Sequence, residues 1–213
     1  MTAQHRIQDR VWWGSNRAAH VAGEQADAYR PRWPCAPLSA ENRYMRLPAL
    51  FTGMRGKFER PLEFGAPLCH GIFDAAYTQP GDYLVQGDAT WFIASQEPLL
   101  PVLCVRTNCV TSFHRPGCDA CTDGYGGVVR DELVLLVQDW PASVLGTTDG
   151  GHSEAELPGD MGVSQWIAIL PKSVGVMLRP GDLMRDDLGR SGVVKSAEKS
   201  DLGWRLLVKQ AVA

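Results

Sequence analysis

Pro80-Gly81-Asp82-Tyr83-Leu84-Val85-Gln86-Gly87-Asp88-Ala89-Thr90-Trp91-Phe92-Ile93-Ala94-Ser95 decides the fold of this chain. Pro-Gly-Asp opens a turn, and Tyr83-Leu84-Val85 and Thr90 to Ser95 are β-branched or aromatic runs. A short Gly-Asp connection of the hairpin kind joins them. One hundred residues on, the same opening returns as Pro180-Gly181-Asp182. Leu183-Met184-Arg185 parallels Tyr83-Leu84-Val85, and Gly192-Val193-Val194-Lys195-Ser196 parallels Trp91-Phe92-Ile93-Ala94-Ser95. Trp204-Arg205-Leu206-Leu207-Val208 is matched to Pro101-Val102-Leu103-Cys104-Val105. Each copy reads as hairpin, kink, strand, too small to bury its own face, so the pattern predicts a structural duplication.

Working outward, the Pro98-Leu99-Leu100-Pro101 kink leads into residues 102–113, read as one long strand with an irregularity at Asn108, pairing beside the hairpin. Residues 132–139 form a continuous apolar run, short enough for a buried strand, and residues 165–170 resume strand character. Residues 147–162, with Asp149, Glu154, Glu156 and Asp160, read as a solvated loop. Residues 41–54 suggest an irregular helix or turn broken at Pro48. Toward the N-terminus a helix is predicted over 15–29, capped by Ser15 and stopped by Pro31. Prolines at every third position then make residues 30–37 an extended, stiff strap, lying over its own domain or over another subunit.

The expected fold is therefore mainly β: two small antiparallel β-barrel or sheet units with an N-terminal helix and extended arm. The divisions are 1–39 for the arm, 40–127 for the first β unit and 128–213 for the second. Trp91 and Trp204 should be buried, and removal of residues 1–37 should leave a folded β body.

Composition narrows the function. The formal charge is −3, from 21 basic and 24 acidic residues well mixed along the chain, which supplies no field to draw in nucleic acid or anionic lipid. The first ten residues are polar, and no run reaches the roughly 18 apolar residues a membrane helix needs. Synthesis and folding in a cytoplasm are expected, with the six cysteines reduced. Cys109, His114, Cys118 and Cys121 could supply four zinc ligands from one loop, yet only one Cys-x-x-Cys half is present, so the thiols are read as free and no cofactor or metal is assigned. Gly-x-Ser-x-Gly, P-loop, His-Glu-x-x-His and Gly-x-Gly-x-x-Gly patterns are all missing, and the five histidines are scattered. The chain reads as non-enzymatic. Its candidate interaction residues are Trp12, Trp13, Tyr29, Arg30 and Trp33, aromatic and arginine side chains near a terminus of the kind enriched where proteins meet.

Several stretches carry a resemblance: Val11-Trp12-Trp13-Gly14, Asp27-Ala28-Tyr29-Arg30-Pro31, Gly81-Asp82-Tyr83-Leu84-Val85, and Phe92 through Pro101. Val105-Arg106-Thr107-Asn108, Asp187-Leu188-Gly189-Arg190 and Asp201-Leu202-Gly203-Trp204-Arg205-Leu206 extend it over most of the chain. Together they resemble uncharacterised proteins from the virion structural modules of tailed phages and prophages. More loosely, the hairpin unit is similar to the head-closure, or stopper, proteins of the phage neck. That resemblance implies a homo-oligomeric ring touching portal or adaptor on one side and tail proteins on the other. It implies a virion location, assembly in the bacterial host cytoplasm, and no sequence-specific nucleic acid or membrane partner. Two units exceed a minimal stopper, which leaves open a capsid cement or decoration protein and, further off, a small metal-dependent virion enzyme.

Overall fold

The computed structural model describes residues 3–53, 67–117, 133–146 and 164–210. Among the described residues one α-helix, α1 (Ala3–Ala22), precedes twelve strands. β1 (Glu24–Tyr29), β2 (Arg43–Gly53), β3 (Leu68–Ile72), β4 (Tyr83–Gln86), β5 (Ala89–Ser95) and β6 (Val102–Arg106) close into one antiparallel barrel in the order β1-β2-β3-β6-β5-β4. β7 (Cys109–Pro116), β8 (Leu133–Gly146), β9 (Gln165–Leu170), β10 (Leu183–Asp186), β11 (Ser191–Ser200) and β12 (Gly203–Gln210) close a second in the order β7-β8-β9-β12-β11-β10. The two orders are the same path, so the duplication expected from the Pro-Gly-Asp repeat holds for the whole barrel. Closure also removes the free strand edges that a small open sheet would present.

Pairing registers align the copies residue by residue. The hairpins β4–β5 and β10–β11 correspond, as do the irregularities between Ile93 and Ser95 and between Val194 and Ser196. Pro48 on β2 faces Gln25, and Pro141 on β8 faces Val110, so the strand proline is repeated too. The third matched segment is one residue out of step with the expectation. Ser95 pairs with Leu103 and Ser196 with Leu207, so Leu103 corresponds to Leu207 and Cys104 to Val208. Because strand side chains alternate, the shift moves Leu207 outward and places Leu206 and Val208 in the core.

Other expectations are corrected. The helix ends at Ala22 and residues 24–29 are a strand. Gly23 forces the stop: a Cβ there would lie 2.5 Å from the Ala49 carbonyl oxygen, so only glycine lets the helix end pass β2 so closely. Beyond it, Ala26 and Ala28 point into the first barrel among Leu47, Leu84, Trp91 and Ile93. Residues 43–53 are a strand running through Pro48, preceded by one 3-10 turn over Ala40–Asn42. Residues 102–113 are two strands in different barrels, parted at Thr107-Asn108. Asn108 bridges that break as a strand would, its amide nitrogen donating to the Val144 carbonyl and its amide oxygen accepting from the Val144 N–H, each at 2.8 Å. The barrels therefore span 24–106 and 109–210. β1 belongs to the first unit although it was placed in the arm, and β7 belongs to the second; the expected border at 127/128 lies outside the described residues, as does the loop at 147–162.

The apolar run opening β8 also behaves differently from its reading. Val134 is 52% exposed and Leu135 is exposed with it, while the strand is buried at Val137 and from Trp140 to Val144. Trp91 and Trp204 are buried as expected, as is the strand over 165–170 with Trp166, Ala168 and Leu170 inward.

Candidate interaction surfaces

The barrels are pinned at matching points by arginine–aspartate clamps. Asp82, buried at the start of β4, accepts from Arg30 Nε at 2.9 Å and Nη2 at 2.7 Å, from the Tyr44 hydroxyl at 2.8 Å and from the Gln79 N–H at 3.0 Å. Asp182, buried ahead of β10, accepts from Arg115 Nε at 2.7 Å and Nη2 at 2.9 Å and from the Arg179 N–H at 2.8 Å. Each arginine also donates to the same relative carbonyl, Tyr77 or Met177. A planar guanidinium gripping a buried carboxylate with two parallel bonds is a strong, geometrically specific contact. The bond to Asp82 raises the Arg30 pKa further, and burial followed by the Asp82 charge pushes the Tyr44 phenol up. Arg30, expected at an interface, is thus committed inside the chain. An Arg-Pro pair, Arg30-Pro31 and Arg115-Pro116, marks both clamps in the sequence and could have revealed the second copy of β1.

Between the barrels lies a continuous apolar junction. Tyr83, Phe92, Ala94 and Val105 point out of the first barrel and join the buried cluster of the second. The Tyr83 ring meets Trp140 edge-on at 6.1 Å, and its hydroxyl donates to the Pro141 carbonyl at 2.7 Å. Ser173 Oγ donates to the Gly81 carbonyl at 2.8 Å, and Leu103 shares a crevice with Ile169 and Leu202. The strap takes its own chain as its support: Pro34 O accepts from the Gln138 N–H at 3.1 Å and from Trp140 Nε1 at 2.7 Å, and Ala36 N–H donates to Gln138 O at 3.0 Å. Tyr29 packs against the same cluster.

The remaining predicted interaction residues divide by exposure. Trp12 packs against the buried cluster of the first barrel, whereas Trp13 is 65% and Trp33 is 69% exposed. On α1, Gln8, Trp12, Ser15 and Ala19 face the barrel at helical spacing. Between α1 and the barrel runs a groove of about 520 Å³, floored by Thr52, His70, Ile72 and Phe73 and walled by Leu99, Leu100 and Pro101 of the β5–β6 loop. Leu99 there holds a φ of 65°, a left-handed conformation costly for leucine, with its N–H donating to Gln8 of α1 at 2.6 Å. Leu99 and Leu100 are nonetheless exposed, an apolar pair held at the rim of a groove.

Of the zinc candidates, Cys109 and His114 face opposite sides of the second barrel's wall. Cys109 is inside the second barrel, its thiol pushed up to about 11 by burial, whereas His114 lies in a groove with Val110, Ser112 and Leu135 on the barrel's outer side. Burial lowers the His114 pKa and the nearby Arg185 adds to the effect. Cys118 and Cys121 lie outside the described residues. Among the described residues no three His, Cys, Asp or Glu side chains gather closely enough to hold a metal, and no helix is long and apolar enough to cross a membrane. Searches against protein-family models, curated proteins and solved structures returned no match for this chain.

Proposed function

We propose that this chain is a structural protein of a tailed-phage virion, a subunit of a head-closure or connector ring in the head-to-tail neck or proximal tail. It acts through shape and subunit contacts, with portal or adaptor and tail proteins as neighbours. The observation that carries the reading is the pair of barrels with one topology, locked in series through Tyr83, Trp140 and Pro141. Such a body presents two related surfaces at a fixed spacing, from which contacts between repeated subunits can be built. Exposed Trp13 and Trp33 add aromatic anchors of the type that fill pockets on a partner. The sequence resemblance to virion-module proteins supplies the setting.

Gold-labelled antibody against this protein, applied to purified particles, tests the placement by electron microscopy. Label at the single portal vertex or the tail joint is expected. Label scattered over the capsid shell would replace this reading with that of a cement protein, and particles free of label would remove the chain from the virion.

A further inference from the structure

We infer that the chain assembles head to tail with further copies of itself: the β10–β11–β12 face of its second barrel seats on the α1-flanked face of the next copy's first barrel, repeating between chains the junction already made within each. This gives the ring reading above its contact and rests on that reading only for where the assembly is used.

The internal junction has a direction. The first barrel contributes outward side chains of β4, β5 and β6, namely Tyr83, Phe92, Ala94, Leu103 and Val105. The second receives them on a different part of its wall: Pro141 on β8, Ile169 on β9, Ser173 and the β11–β12 turn at Leu202. Donor and acceptor faces are therefore distinct, and a contact between unlike faces uses one of each and leaves one of each over.

The registers identify the faces left over. Tyr83, Phe92, Ala94, Leu103 and Val105 correspond to Leu183, Val193, Lys195, Leu207 and Lys209. On this second donor face three apolar side chains are flanked by two lysines. The acceptor residues Pro141 and Ile169 correspond to Pro48 and Ile72, and the β11–β12 turn to the β5–β6 loop bearing Leu99 and Leu100. That is the surface beside α1. The helix lies along it without filling it, leaving the groove of about 520 Å³ with Ile72 in its floor and Glu97 among its lining residues. Glu97 is complementary in charge to Lys195 and Lys209 of an incoming donor face. The helix continues the apolar ground outward, since Ile7, Val11, Gly14, Ala18 and Val21 form one exposed stripe at helical spacing. Two lysines replacing Ala94 and Val105 make the contact between chains more polar than the one inside the chain, hence weaker and dependent on concentration and salt.

The test uses the full chain and an unlike-face signature. Wild-type protein should sediment above its monomer mass of 23.3 kDa, increasingly so with concentration. Leu183→Glu spoils the donor face and Leu100→Glu, at an exposed loop position, spoils the acceptor face. Each variant alone should stay monomeric, while their equimolar mixture should form dimers and nothing larger, because one intact donor then meets one intact acceptor. Near-UV circular dichroism matching the wild type establishes that both variants are folded. Lys195→Glu, a change at an exposed strand position, provides a second donor-face probe: it should weaken assembly, and adding Glu97→Lys to the same chain should restore it. A wild type that remains monomeric throughout, a mixture that fails to pair, or either single variant assembling like the wild type overturns the inference. Head-to-tail assembly by a protein that is absent from particles would sink the neck reading alone, and a portal-vertex protein whose variants fail to pair would sink this contact alone.

Discussion

Alanine at Gly81 should destabilise the protein distinctly more than alanine at Gly181, although the two glycines occupy equivalent turns. Their φ angles are 101° and 94°, so both alanines carry the same left-handed strain, on the order of 1–2 kcal/mol, offset in part by about 0.4–1 kcal/mol from a less flexible unfolded chain. The surroundings differ. A Cβ at position 181 meets nothing within 4 Å, whereas at 81 it lies 2.8 Å from Ser173 Cβ and 3.1 Å from Ser173 Oγ, across the junction. Relieving that clash should cost roughly 1–3 kcal/mol by comparison with overpacked cores. It also endangers the bond from Ser173 Oγ to Gly81 O, a net contribution of about 0.5–1.5 kcal/mol. The two alanines should therefore differ by about 1.5–4.5 kcal/mol. Urea unfolding followed by tryptophan fluorescence reads this difference, and Ser173→Gly in the Gly81→Ala background should recover most of it in a double-mutant cycle. Equal losses for the two alanines, or no coupling to Ser173, would refute the junction geometry on which the account rests.

Arg115→Ala should cost about 3–5 kcal/mol, because it leaves the buried Asp182 carboxylate with only the Arg179 N–H among its described hydrogen-bond partners, while Arg30→Ala should cost less, since Tyr44 and Gln79 still donate to Asp82; paired urea titrations measure the order. Trp204→Ala should lose roughly 3–5 kcal/mol in the same assay, against little change for the exposed Trp13→Ala. Deleting residues 1–37 should abolish the fold of the first barrel, contrary to the expectation from sequence, because the deletion removes β1; deleting 1–22 should spare both barrels, and circular dichroism with thermal melts separates the two cases.

The elements legible in the sequence were those whose local chemistry and tertiary role agree. The Pro-Gly-Asp hairpins combine turn residues with β-branched and aromatic runs, and residues 165–170 alternate cleanly, so pattern and burial coincide. The misread elements are those where closure of a barrel overrides local preference. Glu24 to Tyr29 contains good helix formers, yet Ala26 and Ala28 are small because they fill a narrow barrel interior under α1. Pro48 reads as a breaker and stands in a strand, at a point where β2 has not yet begun its pairing with β3. Leu133 to Val137 looks like a core strand, yet Val134 and Leu135 face out, and the run at 102–113 crosses from one barrel to the other at Asn108 with no change in composition to mark it. Trp13 and Trp33 were legible as surface candidates. The groove beside α1 was not, because it is built from residues far apart in the chain, joined only when β2, β3 and the β5–β6 loop come together.

The central claim, a structural ring subunit acting through repeated barrel surfaces, is tested most directly by the copy number of this protein in purified particles, determined by quantitative mass spectrometry against the portal protein. The account predicts a number equal to the portal's or half of it, the half value placing one barrel opposite each portal subunit. Hundreds of copies, or essentially none, would contradict it.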